Sequence, residues 1–139
     1  MNRVIANQRG FTLLELISVM LIIGFLAALA IPRYIELEAG ATANGMAVAI
    51  DELNGRESLI WSEIKISDLS YSESTGDDDV WTQMKNDPTK SHPDLGSGYE
   101  WMSGPDKTGG TLSFRGSEAF TLSRKASTIT HPARWRQLP

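Results

Sequence analysis

The hydrophobic pattern divides the chain into one continuous apolar run and a longer region of mixed character. The run extends from Phe11 to Ile31 and holds a single charged residue, Glu15. At about 1.5 Å per residue it spans about 30 Å as a helix, which is close to the hydrocarbon thickness of a bilayer. We therefore predict a membrane-spanning helix over residues 11–31.

Beyond Pro32 the pattern continues as an amphipathic helix. Apolar residues recur at spacings near three, four or seven, with acidic residues between them. Three glycines, at 40, 45 and 55, each weaken a helix by about 1 kcal/mol relative to alanine, so we expect it to be bent or locally loosened. The prediction is one helix over 11–66 whose second half buries one stripe. The stripe comprises Tyr34, Leu37, Ala41, Met46, Ile50, Leu53, Ile60 and Ile64, and the polar positions include Glu36, Glu38, Asp51, Glu52 and Glu57.

The last third of the chain carries strand patterns. Residues 99–102, 111–115 and 119–124 each alternate apolar and polar side chains, and glycine-rich turns separate them, which favours an antiparallel sheet. Residues 67–105 have the composition of a connection, with a short helix or packed turn at 80–84. The predicted class is α+β, with the long helix packed against a small antiparallel sheet through Leu112, Phe114, Phe120 and Leu122.

The start of the chain carries a specific motif. Residues 1–10 contain Arg3 and Arg9 and no acidic residue, a charge bias that keeps this leader in the cytoplasm. The segment RGFTLLEL at residues 9–16 resembles the prepilin leader and mature start of type IV pilins and type II secretion pseudopilins. The resemblance continues without a gap to Pro32. It implies a pilin-like fold, and it does not extend beyond about residue 66.

The resemblance implies a processing event at the leader. A membrane-embedded prepilin peptidase would cut between Gly10 and Phe11, and the new amino group of Phe11 would be methylated. Cleavage removes two arginines, which leaves 11 basic against 17 acidic residues, a net charge of -6. Gly10 suits close approach by a protease because it has no side chain. A flexible junction between leader and helix is the alternative interpretation of Gly10.

Glu15 is the residue that the resemblance connects with assembly. A carboxylate inside an apolar helix is costly and usually functional. In pilins it meets the positive amino terminus of a neighbouring subunit, here Phe11, which sets the register between subunits. The alternative is that Glu15 lies close enough to the membrane surface for its carboxylate to reach water.

Gly24 and Pro32 bracket a second special segment. Proline has no N–H for the carbonyl of Ala28, so a kink or break is expected at Pro32. In related filaments the helix between such a glycine and proline can lose its hydrogen bonds. An ordinary proline kink in a continuous helix is the alternative.

The last residues, 127–139, form a short basic tail in which Arg134 and Arg136 flank Trp135. Three interpretations are open. The tail cations, together with Arg124 and Lys125, meet an acidic loop of the next subunit; Arg134, Trp135 and Arg136 form a small nucleic-acid contact; or the tail is a solvated, partly disordered terminus.

The residue types that the chain lacks exclude several classes of function. The absence of cysteine excludes disulfides, thiolate metal sites and a cysteine nucleophile, and it leans away from major pilins that close a loop with a disulfide. No triad or phosphate-binding loop is present, so we predict no enzyme activity and no cofactor. Asp77, Asp78 and Asp79 are weak calcium candidates. A solvated turn explains them better, because they lack the context of the pseudopilin calcium loop.

These observations predict four segments: a leader at 1–10, the helix at 11–66, a globular head at 67–126 and the tail at 127–139. The predicted function is a structural subunit of a type IV pilus-like filament. It would be made in the inner membrane as a single-pass protein with a cytoplasmic amino terminus, then placed in a periplasmic or surface filament. Its partners would be copies of itself or other pilins, the prepilin peptidase and an inner-membrane assembly platform, with a separate ATPase supplying energy.

Three alternatives remain at this stage. The chain is a pseudopilin of a type II secretion system, a minor pilin in DNA uptake, or an uncleaved, membrane-tethered binding module that never polymerises. Nucleic-acid binding is the weakest of these expectations.

Overall fold

A computed structural model describes residues 10–67, 71–86 and 92–139. The predicted leader, apart from Gly10, and parts of the predicted connection lie outside the described residues. The secondary structure confirms the α+β class, with a long amino-terminal helix and a small antiparallel sheet. The elements in chain order are α1 (Leu13–Ile66), α2 (Gly76–Met84), β1 (Tyr99–Asp106), β2 (Gly109–Phe114), β3 (Phe120–Lys125) and β4 (Arg134–Gln137).

The chain divides into two compact units, Met1–Gly40 and Ala41–Pro139. In the first unit, α1 begins at Leu13 and remains helical through Gly24 and Pro32. The break expected at Pro32 is therefore not present in the single chain. Proline removes one backbone donor, and the hydrogen bonds on either side of it are enough to continue the helix.

The second unit, which we call the head, contains a four-stranded sheet in the order β1-β2-β3-β4. Each neighbouring pair is antiparallel, as the turn residues predicted for β1–β2 and β2–β3. The β1–β2 turn is held by Asp106, whose Oδ1 accepts the N–H groups of Thr108 at 2.7 Å and Gly109 at 3.0 Å. Such an Asp-centred turn is a common way to reverse a hairpin.

The core of the head lies between the sheet and the second half of α1. Met46, Ala49 and Leu53 are buried at helical spacing, and Leu112 and Leu122 meet them from the sheet. Phe114 and Phe120 pack against the same cluster and are partly buried. The predicted packing of the four sheet residues is confirmed for the part of the stripe from Met46 onward. The stripe itself is shorter than predicted, because Tyr34, Leu37 and Ala41 are exposed.

Gly45 owes its place in α1 to close packing. A Cβ atom at this position would lie 2.6 Å from Cε1 of Phe114, which is closer than real Cβ contacts. The hydroxyl of Tyr99 also donates to the carbonyl oxygen of Gly45 at 2.8 Å. Glycine is a weak helix former, but this position of the helix requires it because the rings of Phe114 and Tyr99 approach the backbone closely.

The tail is where the structure departs most from the expectation of a solvated terminus. Residues Arg134–Gln137 form β4, which pairs with β3 and completes the sheet. Trp135 is only 2% exposed and belongs to the core. The physical reason is that the alternation of Arg134, Trp135 and Arg136 places one large apolar ring on the inner face and both cations on the outer face.

Candidate functional site

The amino-terminal end of α1 is closed by a reciprocal pair of side chains. Oε2 of Glu15 accepts the backbone N–H of Thr12 at 2.9 Å and its hydroxyl at 2.9 Å. In return, Oγ1 of Thr12 accepts the N–H of Glu15 at 3.2 Å. This arrangement is a capping box, in which a threonine before the helix and a glutamate three residues later satisfy each other's free donors. Sequence reasoning missed it, although the spacing Thr-x-x-Glu was visible.

The cap uses only one oxygen of the glutamate. Glu15 is exposed, and within the described part of the chain Oε1 has no partner. Gly10 and Phe11, the residues of the predicted cleavage site, are also exposed immediately before the cap. The structure thus holds the carboxylate in a fixed position beside the predicted new terminus and leaves one oxygen free to accept another donor.

Around this cap the helix surface is apolar and uncovered. All large apolar side chains between Phe11 and Leu37 are exposed. In the described part of the chain, α1 is the one helix long and apolar enough to cross a membrane. A helix that is apolar on every side requires lipid or other helices around it, because a soluble monomer rarely exposes so large an apolar surface.

The head contains a buried ionic cluster that sequence reasoning did not find. Glu57 is 0% exposed, whereas the sequence pattern predicts it among the polar positions of the helix. The guanidinium of Arg124 donates to Glu57 through Nε at 2.6 Å and Nη2 at 3.1 Å. Arg124 also donates to Asp77 through Nη2 at 2.9 Å, so one cation joins α1, α2 and β3.

Neighbouring donors complete this cluster. The indole Nε1 of Trp135 donates to Oε1 of Glu57 at 2.9 Å. Oδ1 of Asp77 accepts both the backbone N–H and the hydroxyl of Ser127 at 2.8 Å. Because a buried charge is tolerated only when its hydrogen-bonding capacity is used, these contacts explain why two carboxylates and a guanidinium can share the interior.

The pKa values follow from the same contacts. Partial burial alone would raise the pKa of Asp77, but the hydrogen bonds from Arg124 and Ser127 outweigh it, and the pKa lies below the ordinary value of 3.8. Burial alone would lower the pKa of Arg124, and its bonds to Glu57 and Asp77 raise it instead. Both groups therefore remain charged near neutral pH.

Asn54 of α1 holds the outer edge of β4. Its amide Nδ2 donates to the carbonyl oxygen of Trp135 at 3.2 Å, and its Oδ1 accepts the N–H of Trp135 at 2.7 Å. The side chain thus replaces a neighbouring strand at this residue. A blocked edge is protected from pairing with other chains.

The aspartate run has structural partners, which corrects the interpretation of Asp77–Asp79 as a solvated turn. The run forms the first turn of α2, where Asp77 binds Arg124 and Asp78 pairs with Lys107. Among the described residues, no group of three or more His, Cys, Asp or Glu side chains is arranged to hold a metal ion. The calcium expectation receives no support from this geometry.

The three tail residues singled out from the sequence do not form one surface. Trp135 lies inside the core, tilted against Trp81 and Trp101 at ring-centroid distances of 6.3 and 5.9 Å. A buried indole cannot stack on a nucleic-acid base, so the contact proposed for Arg134, Trp135 and Arg136 loses its aromatic component. Arg124, expected to reach another subunit, instead binds carboxylates of its own chain.

The fold and the amino-terminal segment together define an α+β protein with a pilin-like architecture and one membrane-competent helix. The family model described as the prokaryotic N-terminal methylation motif matches residues 5–31. The chain is also 32% identical over 126 residues to the type IV narrow pilus major component PilA5 of Thermus thermophilus, across 89% of this chain and 94% of that protein. No solved structure matches the chain.

The chain therefore belongs to the type IV pilin family. Members of this family are structural proteins that assemble with other pilins into pilus filaments. Family membership supports a structural role over an enzymatic one, and it indicates membrane anchoring through the apolar helix before incorporation into a pilus.

Proposed function

We propose that this chain is a main structural subunit of a type IV pilus-like filament, assembled through the amino-terminal part of α1. The observation that carries the proposal is the exposed apolar surface between Phe11 and Leu37, interrupted by a single carboxylate at Glu15. Lipid covers such a surface before assembly, and neighbouring helices cover it in a filament. The name of the Thermus relative, a major pilus component, supports a major rather than an accessory role.

Processing precedes assembly in this proposal. The prepilin peptidase cuts between Gly10 and Phe11 in the inner membrane, and the amino group of Phe11 is methylated. The exposed positions of both residues beside the helix cap support access by the two enzymatic activities. Removal of the leader places the new amino group next to Thr12, at the positive end of the helix dipole.

Glu15 then joins neighbouring subunits. Oε2 caps its own helix through Thr12, and the free Oε1 accepts the amino group of Phe11 from the next copy. Neutralising both charges allows them to enter an apolar filament core, where either alone would be strongly unfavourable. The contact selects one register, because only one axial offset brings the amino group of one helix to the carboxylate of another.

Gly24 and Pro32 set the conformational freedom of the same segment. The helix is continuous through both residues in the single chain. We propose that residues between them lose helical hydrogen bonds in the filament, since glycine and proline both lower the cost of opening the helix there.

A shearing experiment tests the function. Filaments released from the cell surface by shearing should contain the chain, and cells with an inactivated prepilin peptidase should retain it, uncut, in the membrane. If the chain is membrane-bound and uncut in both strains and no filament contains it, the proposal fails and the tethered binding module is the better account.

The same fractionation separates the other candidates. A pseudopilin would be processed but would remain in the periplasm and membrane, and its deletion would reduce secretion without removing surface filaments. The lack of cysteine leans away from major pilins that close a loop with a disulfide, and it is compatible with a pseudopilin, a minor pilin or a disulfide-free major pilin. A minor pilin in DNA uptake would occur in filaments at a small fraction of the abundance of another pilin.

A further inference from the structure

The outer face of β3 and β4 carries three cations that have no counter-charge among the described residues. Lys125 lies directly opposite Arg134 in the strand pairing, and Ser123 lies opposite Arg136. Paired residues of neighbouring strands point to the same side of a sheet, so all three cations share the face opposite the buried Arg124 and Trp135. We call Lys125, Arg134 and Arg136 the cationic face.

These three residues differ from the other cations in the described part of the chain. Arg33, Arg56, Lys107 and Arg124 pair with carboxylates, while Lys65, Lys85 and Arg115 lie over aromatic rings. On the cationic face, Arg136 donates to the hydroxyl of Ser123 at 3.3 Å, and no carboxylate of the described residues reaches any of the three. The face is therefore a local excess of positive charge.

The strand register makes this excess unfavourable within one chain. Like charges directly opposite each other on neighbouring strands destabilise a sheet, and Lys125 and Arg134 are such a pair. An anionic group from outside the chain would remove the repulsion. All three cationic side chains are exposed, so such a group can reach them from the outer face.

We propose that the cationic face binds exposed carboxylates of the segment 73–79 in a second copy of this chain. This inference rests on the proposed function, because a filament places copies side by side at high effective concentration. Each processed copy carries a net charge of -6, so the counter-charge is available in every neighbour. Glu73 and Asp79 are exposed, and neither pairs with a cation of the described residues.

Charge and burial favour a second copy over a nucleic acid. The one aromatic residue of the tail, Trp135, is buried beneath the sheet and unable to stack on a base. The chain as a whole is acidic, which repels a polyanion at long range, whereas a neighbouring head offers a few local carboxylates.

Zero-length cross-linking of sheared filaments tests the contact directly. A carbodiimide couples the amine of Lys125 to a carboxylate only when the two are in contact. We expect covalent dimers whose linked peptides join Lys125 to Glu73, Asp78 or Asp79. The matched control is Lys125→Arg, which keeps the charge and the filament but cannot be coupled, so this linked peptide should disappear.

A triple variant, Lys125→Gln, Arg134→Gln and Arg136→Gln, supplies a second measurement. Wild-type filaments should release more subunits as salt concentration rises, and the variant should lose this salt dependence and yield fewer filaments. The thermal midpoint of the variant chain in detergent should equal or exceed that of the wild type, because the replaced side chains are exposed and mutually repulsive. A lower midpoint would contradict the stated reason for the contact.

Two results would overturn the inference and leave the proposed function intact. One is a normal yield of filaments without any cross-link between Lys125 and another copy. The other is a triple variant with unchanged filaments that no longer binds DNA, which would assign the face to nucleic acid. Absence of the chain from all filaments would instead overturn the proposed function itself.

Discussion

The two compact units of this chain differ in the exposure of their apolar side chains and in the partners of their charged side chains. Up to Gly40, the large apolar side chains are exposed and the one carboxylate of the membrane segment is shared only with a neighbouring threonine. From Ala41 onward, apolar side chains are buried between the sheet and the helices, and even the fully buried carboxylate of Glu57 accepts hydrogen bonds from Arg124 and Trp135. The buried charges of the head thus have partners within the head, whereas the apolar surface of the amino-terminal segment requires other molecules to cover it.

Glu15 and Glu57 show the same contrast within one helix. Glu57 is enclosed by Arg124 and Trp135, so its partners are part of its own fold. Glu15 keeps one oxygen free at an exposed helix end. The buried carboxylate of Glu57 has partners within its own chain and stabilises one conformation of the head. The exposed carboxylate of Glu15 lies in an apolar surface and is suited to bind a cationic group of another subunit.

The largest expected effect is at Glu15. Glu15→Gln keeps the capping box, since glutamine also satisfies it, but removes the charge that meets the amino group of Phe11. We expect surface filaments to be lost while the amount of processed chain in the membrane stays unchanged. Filament yield after shearing and immunoblotting of membranes measure the two quantities.

Thr12→Ala is the matched control for that prediction. It removes the cap, which is worth about 1 kcal/mol of helix stability, and leaves the Glu15 charge in place. Filaments should persist at reduced yield. Normal filaments in Glu15→Gln together with reduced filaments in Thr12→Ala would mean that Glu15 acts only as a capping residue.

The next largest effect concerns the buried cluster. Arg124→Met leaves Glu57 buried without its cation and should destabilise the head by about 3–5 kcal/mol. Adding Glu57→Met should recover part of this loss, because an apolar pair no longer needs the charge. Urea unfolding of the full chain in detergent measures both. Arg56→Ala, which breaks an exposed pair with Glu52, should change stability by less than about 0.5 kcal/mol.

The third prediction compares a buried leucine of α1 with an exposed leucine of the same helix. Leu53 is 0% exposed and Leu59 is 71% exposed. Leu53→Ala should cost about 2–5 kcal/mol through lost burial and a cavity, and Leu59→Ala less than about 0.5 kcal/mol in the isolated chain. Similar losses at both positions in the same unfolding assay would show that the outer side of the helix is covered in the monomer.

The smallest effect is the acid sensitivity contributed by Asp77. Its pKa is lowered in the folded head, so the stabilisation is present above the ordinary value of 3.8 and is lost as the pH falls through the lowered pKa. Wild type should therefore exceed Asp77→Asn in stability at neutral pH. The difference should shrink as the pH drops below about 3.8, and a constant difference would contradict the role of the charge.

The sequence predicted those elements in which apolar residues recur with the period of a helix or a strand. It did not predict the features that depend on contacts between distant parts of the chain. The spacing of Met46 and Leu53 and the alternation around Leu112 and Leu122 predicted the core correctly. β4 was missed because two of its residues are arginines, although their alternation with Trp135 was already that of a strand with one buried face.

The buried cluster shows the same limit. Glu57 lies four residues after Leu53 and three before Ile60, so helical spacing places it on the buried stripe. Its charge argued for the solvent side, and only the inward position of Arg124, two residues after Leu122 in β3, resolves the conflict. That pairing joins residues 67 positions apart, which no local pattern specifies.

The central claim is that this chain is cut at Gly10 and enters filaments through its new amino terminus. Intact-mass measurement with amino-terminal sequencing of the chain in sheared surface filaments tests it most directly. The account predicts a chain that starts at methylated Phe11. A chain that still starts at Met1, found only in membranes of cells with an active prepilin peptidase, would contradict it.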